Sequence, residues 1–77
     1  MSDLAQLRRK IEARHSLPAP AVRRALREGA GISQADVAIA CGVSREAVSR
    51  WENGEREPRP DHLAAYVEVL DELRRSG

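Results

Sequence analysis

Between Gln34 and Trp51 the chain sets small, flexible and apolar residues at intervals that few folds accommodate together. Counting Gln34 as one, Ala38 stands at five, Gly42 at nine, Val48 at fifteen and Trp51 at eighteen. That order suits two helices crossing steeply through a tight turn of about three residues. Ala38 is small where the second helix would otherwise collide with the first. Gly42 accepts positive φ without steric cost, which lets the chain turn so abruptly. Val37, Val43, Val48 and Trp51 then point back into a shared core.

The punctuation on either side extends this pair into a string of short helices. Ser2 or Asp3 caps a first helix running to about Arg14, with Leu4, Leu7 and Ile11 on one face. Pro18 and Pro20 end it, because neither fits a helix interior and each pushes its predecessor toward extended geometry. Pro20 opens a second helix that ends near Glu28, ahead of Gly29-Ala30-Gly31. Ser33 caps a third over residues 34–41 and Ser44 a fourth over residues 45–52, the latter closed by left-handed residues at Asn53-Gly54. Asp61 opens a last helix with Leu63, Tyr66, Val67, Leu70 and Leu73 as its apolar stripe. No stretch sustains a two-residue alternation, so strands are not expected. With 77 residues there is room for one domain, residues 1–77, and the expected fold is an all-α bundle of five helices.

Several function classes fall away on composition. A single cysteine, Cys41, and two distant histidines, His15 and His62, leave no disulfide framework and no Cys/His zinc site. No nucleophile, glycine-rich phosphate loop or metal spacing stands out, so neither enzyme, metal, cofactor nor small-molecule ligand is expected. Apolar runs are too short for a membrane span, and a cytoplasmic address is the expectation. Cys41 reads as a small core residue beside the turn, with a redox sensor as the alternative. His15 and His62 read as surface residues, although His15 follows a basic run that could touch phosphate.

The formal net charge of +1 hides an uneven distribution. Residues 1–30 carry a balance of +4, residues 31–54 one of −1 and residues 55–77 one of −2. A basic front permits a polyanionic partner, while a solvated helix face explains it equally well. The residue 45–52 helix is more informative. With Arg45 at zero and 100° per residue, Ser49 falls at about 40°, Glu46 at about 100° and Arg50 at about 140°. Ala47, Trp51 and Val48 fall at about 200°, 240° and 300°, which puts Trp51 in the core rather than on a base. The polar side is what a helix needs to enter a major groove. There arginine forks onto guanine and glutamate accepts from cytosine.

Arg27, Gly31-Ile32-Ser33-Gln34, Ala38, Gly42-Val43-Ser44, Val48-Ser49-Arg50-Trp51-Glu52-Asn53-Gly54, Pro58 and Leu63 together resemble the Cro/CI-like (XRE-type) helix-turn-helix family of bacterial and phage transcriptional regulators. The likeness covers roughly residues 22–70. It implies a lambda-repressor-like core over residues 20–74, the helix-turn-helix itself at 34–52, an additional N-terminal helix over residues 1–16 and a long C-terminal helix. It implies that Gln34 meets a DNA phosphate and that Ser44, Arg45, Glu46, Ser49 and Arg50 form the recognition surface. Arg27 and Glu52 match a structural arginine–glutamate pair. Ala38, Gly42, Val48 and Trp51 match structural positions of the motif.

Two departures shape the functional expectation. The loop after Asn53-Gly54 offers only Arg56 and Arg59 to phosphate, opposed by Glu55 and Glu57, so affinity should be modest and salt-dependent. The last helix runs on through Asp71-Glu72-Leu73 where relatives break and add a fifth helix; the extra N-terminal helix offsets that loss. Leu4, Leu7 and Ile11 then either cover the bundle or form a dimer seam with Tyr66, Val69, Leu70 and Leu73. The expected partner is double-stranded DNA, read by a homodimer at a pseudo-palindromic operator, with Cro-like repression as the simplest mechanism. The alternative is an antitoxin- or antirepressor-type protein-interaction module with weak or no specific DNA binding.

Overall fold

A computed structural model of the chain, which describes residues 3–76, contains five helices and, among those residues, no strand. They are α1 Asp3–His15, α2 Pro20–Gly29, α3 Gln34–Cys41, α4 Arg45–Asn53 and α5 Pro60–Ser76. Each boundary has a local chemical cause. Pro20 supplies the first turn of α2, where its missing N–H costs nothing. The Ser33 hydroxyl accepts from the Asp36 N–H at 3.0 Å, and the Asp36 carboxylate accepts in return from the Ser33 N–H at 3.5 Å, a reciprocal cap for α3. Gly42 ends α3 with φ 71°, and Ser44 caps α4 by accepting from the Ala47 N–H at 3.1 Å. Only three residues separate the two helices.

The boundaries differ from the sequence expectation in two places. Asn53 completes α4 in ordinary helical geometry and Gly54 alone takes positive φ, because glycine bears the left-handed conformation without a Cβ clash. Pro60, not Asp61, begins α5, again because the first helical position needs no donor. Ser2 as a cap for α1 lies outside the described residues.

The core forms where α3, α4 and α5 meet over α2. Val37, Ala38, Cys41, Val48, Trp51, Tyr66, Leu70 and Leu73 make one buried cluster, against which Leu17, Leu26, Ile32, Val43 and Val69 are partly buried. Val67, at the edge of the expected α5 stripe, is half-buried. Trp51 and Tyr66 meet at a ring-centroid distance of 4.6 Å and a tilt of 47°, an arrangement that contributes roughly 0.5–1.5 kcal/mol beyond area burial. Cys41 is buried and burial pushes its thiol up, which disfavours the reactive thiolate.

The N-terminal helix settles one of the open alternatives. It packs against α5, yet none of its described residues is buried, and Leu4, Leu7 and Ile11 are exposed. They cover the bundle only at its edge, where Leu7 and Ile11 border a cleft with Pro60 and Leu63. Tyr66, Leu70 and Leu73 are interior residues and are not surface for a dimer seam, whereas Val69 remains partly accessible. The reason is angular: most of the α5 stripe faces α3 and α2, and its first residue, Leu63, is what remains to meet α1.

The Tyr66 hydroxyl is buried without a hydrogen-bond partner among the described residues. Tyr66→Phe therefore breaks no bond to the protein and should change stability by less than about 1 kcal/mol. Trp51→Ala removes the ring on which it packs and should cost about 3–5 kcal/mol. Denaturant unfolding of the two variants checks the contrast.

Candidate nucleic-acid interface

The face of α4 opposite the core carries the residues that the helical angles selected. Val48, Trp51 and Glu52 are buried, whereas Arg45, Glu46 and Arg50 are exposed and Ser49 is half-buried. Ser44 spends one oxygen lone pair on the cap of α4 and keeps its hydroxyl proton to donate outward. Arg45 lies 3.6 Å from the Glu46 carboxylate in an exposed pair.

A continuous run of polar contacts links this face to the interior. Arg27 donates from Nε to Glu52 Oε2 at 2.6 Å and from Nη2 to Oε1 at 3.0 Å, while its Nη1 donates to the Ile32 carbonyl at 2.9 Å. The Glu52 side chain is only 2% exposed. Gln34 Nε2 also donates to Glu52 Oε1, at 3.1 Å, and Arg45 Nη1 donates to Gln34 Oε1 at 3.3 Å. A carboxylate only accepts and a guanidinium only donates, so these neighbours fix which way the Gln34 amide faces. Gln34 thus holds Arg45 on one side, is anchored by Glu52 on the other, and has one amide proton left.

Burial alone would raise the Glu52 carboxyl, but the hydrogen bonds from Arg27 and Gln34 and the charge of Arg27 outweigh it and leave it below its ordinary value. The same partnership raises Arg27. Tyr66 is pushed up by burial, and the nearby Glu52 charge adds to the effect.

Arg23 is the residue that sequence reasoning misplaced. Counted with the basic front, it is 4% exposed and belongs to the core. Its Nε donates to the Pro18 carbonyl at 2.7 Å, its Nη1 to the Trp51 carbonyl at 3.0 Å and its Nη2 to Glu57 at 2.9 Å. The signal was present: Arg23 and Arg27 are one helical turn apart on the face of α2 that also carries Leu26 and Ala30. Glu57, expected to oppose phosphate, is instead engaged by Arg23. Glu55 accepts from Asn53 Nδ2 at 3.3 Å.

The pairing offsets one acidic charge of the loop, although Glu57 stays largely exposed and shares a cleft with Arg56 and Arg59. Arg56 and Arg59 converge with Arg50 and Ser44 on an open cleft of about 360 Å³ between the α3–α4 turn and the start of α5. His62 lines the same cleft, a placement that its position in the sequence did not signal. Among the described residues no cluster of metal-binding side chains occurs, and no helix is long and apolar enough to cross a membrane.

A family model described as helix-turn-helix covers residues 24–74, which takes in α3, the turn and α4. No curated protein matches the chain, and no solved structure matches it.

The Glu52 pair sets a pH dependence whose sign is fixed. A carboxyl held below its ordinary value of about 4.5 in the folded state contributes its full stabilisation above that pH and loses it as the pH falls through the lowered value. Glu52→Gln should cost about 3–5 kcal/mol near neutrality, since it leaves Arg27 without its anion. The gap between wild type and variant should narrow as the pH is taken below about 4.5, as thermal melts at a series of pH values would show.

Proposed function

Since the chain belongs to the XRE/Cro/CI-type helix-turn-helix family, whose members are DNA-binding regulators, we propose that it is a sequence-specific transcriptional regulator of double-stranded DNA. It acts as a Cro-like repressor of bacterial or phage origin, in the cytoplasm, as a homodimer on a pseudo-palindromic operator. Residues 34–52 form the reading unit of a single domain spanning residues 1–77.

The observation that carries the reading is the exposed outer face of α4, with Arg45 held in place by Gln34. A helix so anchored presents its first turn to a major groove about 12 Å wide, where Arg45 and Arg50 fork onto guanine and Glu46 accepts from cytosine. Gln34, Ser44, Arg56 and Arg59 meet the phosphates on either side. One such unit reads only a few base pairs. Two related by a twofold axis read half-sites about 34 Å apart, which explains the need for a dimer. Repression follows from occupying DNA that polymerase requires.

The reading is tested by titrating the protein against DNA fragments flanking its own gene at several salt concentrations. A specific site with a slope of log affinity on log salt of about −2 per protomer, as the two phosphate-facing arginines require, supports it. Binding no tighter than to random duplex overturns it in favour of a protein-interaction module of the antitoxin or antirepressor kind. Arg45→Ala should lower specific affinity by about 1–3 kcal/mol and relax preference at one base pair. Gln34→Ala should weaken binding across sequences and add a smaller relaxation at that same base pair, because it releases Arg45. Selection of bound sites from random DNA reads both effects.

A further inference from the structure

The fold leaves two apolar surfaces open, and their rims carry opposite charge. The first is the outer face of α1, where Leu4, Leu7 and Ile11 are 60%, 52% and 47% exposed. At 100° per residue these three fall within an arc of about 60°, with Arg8 and Arg14 on its two flanks. Among the described residues no ion pair engages either arginine. The helix rests on its Lys10 and Ala13 side against Pro60 and Leu63, with clefts of about 270 and 290 Å³ along the contact; Leu7 and Ile11 border the second cleft and still keep about half of their surface open. A helix whose apolar stripe served only its own bundle would be rotated to bury it.

The second surface is a groove of about 290 Å³ at the other end of α5, walled by Ala30, Ile32, Ala40 and Val69 and rimmed by Asp36, which no ion pair engages among the described residues, and by Glu72, held at 3.0 Å in an exposed and so exchangeable pair with Arg75. The chain's own α1 does not serve it. Residues 16–19 tether α1 to α2, and its seat at Leu63 lies ten residues, about 15 Å along the helix, from Leu73 in the groove.

We infer that α1 of one molecule lies in the α3–α5 groove of a second copy, whose own α1 returns the contact and closes a twofold dimer. Charge complementarity selects this occupant: the arginines flanking the α1 stripe meet the carboxylates on the groove rim. Pairing of α1 with α1 would set two basic helices against each other. The contact also spares the reading face. Around α3, Asp36 and Ala40 lie about 160° and 120° from Gln34, so a filled groove leaves Gln34 and the outer side of α4 clear. The inference gives a surface to the homodimer proposed above and rests on that reading for its twofold symmetry.

Sedimentation equilibrium of the full chain tests it, with Leu7→Glu and Ala40→Lys, both exposed positions, checked for native helicity by circular dichroism. Wild type should dimerise, and each variant should raise the dimer dissociation constant about tenfold or more. An equimolar mixture of the two variants should dimerise again, because the intact α1 of one fits the intact groove of the other. A monomeric wild type, a dimeric Ala40→Lys beside a monomeric Leu7→Glu, or a mixture that stays monomeric would overturn the inference. Specific DNA binding is measured on the same samples: its loss in a wild type that dimerises as described fails the regulator reading alone, and its persistence in a monomeric wild type fails the docking alone.

Discussion

The carboxylate of Glu52 is the charge around which the reading face is organised. An ion buried to this degree is costly to desolvate, and it is tolerated here because Arg27 meets both of its oxygens and Gln34 adds a third donor. The consequence is geometric more than energetic. Arg27 belongs to α2, Gln34 opens α3 and Glu52 ends α4, so one carboxylate fixes three helices relative to each other. Gln34 then passes that constraint on to Arg45 at the opposite end of α4. Removing the anion would leave the helices their apolar contacts while freeing the angle at which α4 stands out from the bundle.

Arg23 does for the loop what Arg27 does for the helix. One helical turn apart on α2, the two arginines grip the last turn of α4, one through the Glu52 side chain and the other through the Trp51 carbonyl. Arg23 also holds Glu57, which pins the loop carrying Arg56 and Arg59 beside the cleft. Two of the seven cations in residues 1–30 are thereby withdrawn from the surface. The basic front is weaker than its formal charge, and the loop is less acidic than its sequence.

The helix-turn-helix was legible because its parts are local. Ser33, Gly42 and Ser44 act within a few residues of themselves, and a cap or a left-handed glycine means the same in any fold. The outward face of α4 followed from helical angles once Val48 and Trp51 were placed inward. What escaped was whatever depends on a distant partner. Periodicity marks Leu4, Leu7 and Ile11 as an apolar face but not what they face, and it gave no sign that α3 and α2 would take most of the α5 stripe and leave Leu63 to α1. Likewise, an arginine in a basic run looks solvated until a carbonyl 28 residues away is found beside it, as for Arg23 and Trp51. His62 joined the cleft only through folding.

The strength of the hold on Arg45 is itself informative. Its contacts, 3.3 Å to Gln34 and 3.6 Å to Glu46, are long and exposed, which places each at about 0–1 kcal/mol. A bidentate contact to a base discriminates by about 1–3 kcal/mol, so exchanging these bonds for guanine is downhill. Were Arg45 held as tightly as Arg27, the exchange would be lost and the residue would be structural. Were it held by nothing, its rotamer freedom, worth up to about 2 kcal/mol, would be surrendered on binding. The weak intermediate hold restricts the side chain beforehand and, on the proposed reading, is weak enough to yield to DNA. Arg50, for which no comparable bond exists among the described residues, carries the full ordering cost. On the proposed reading the two arginines of this face are therefore unequal, and the sharper base preference is expected of the one that Gln34 steadies.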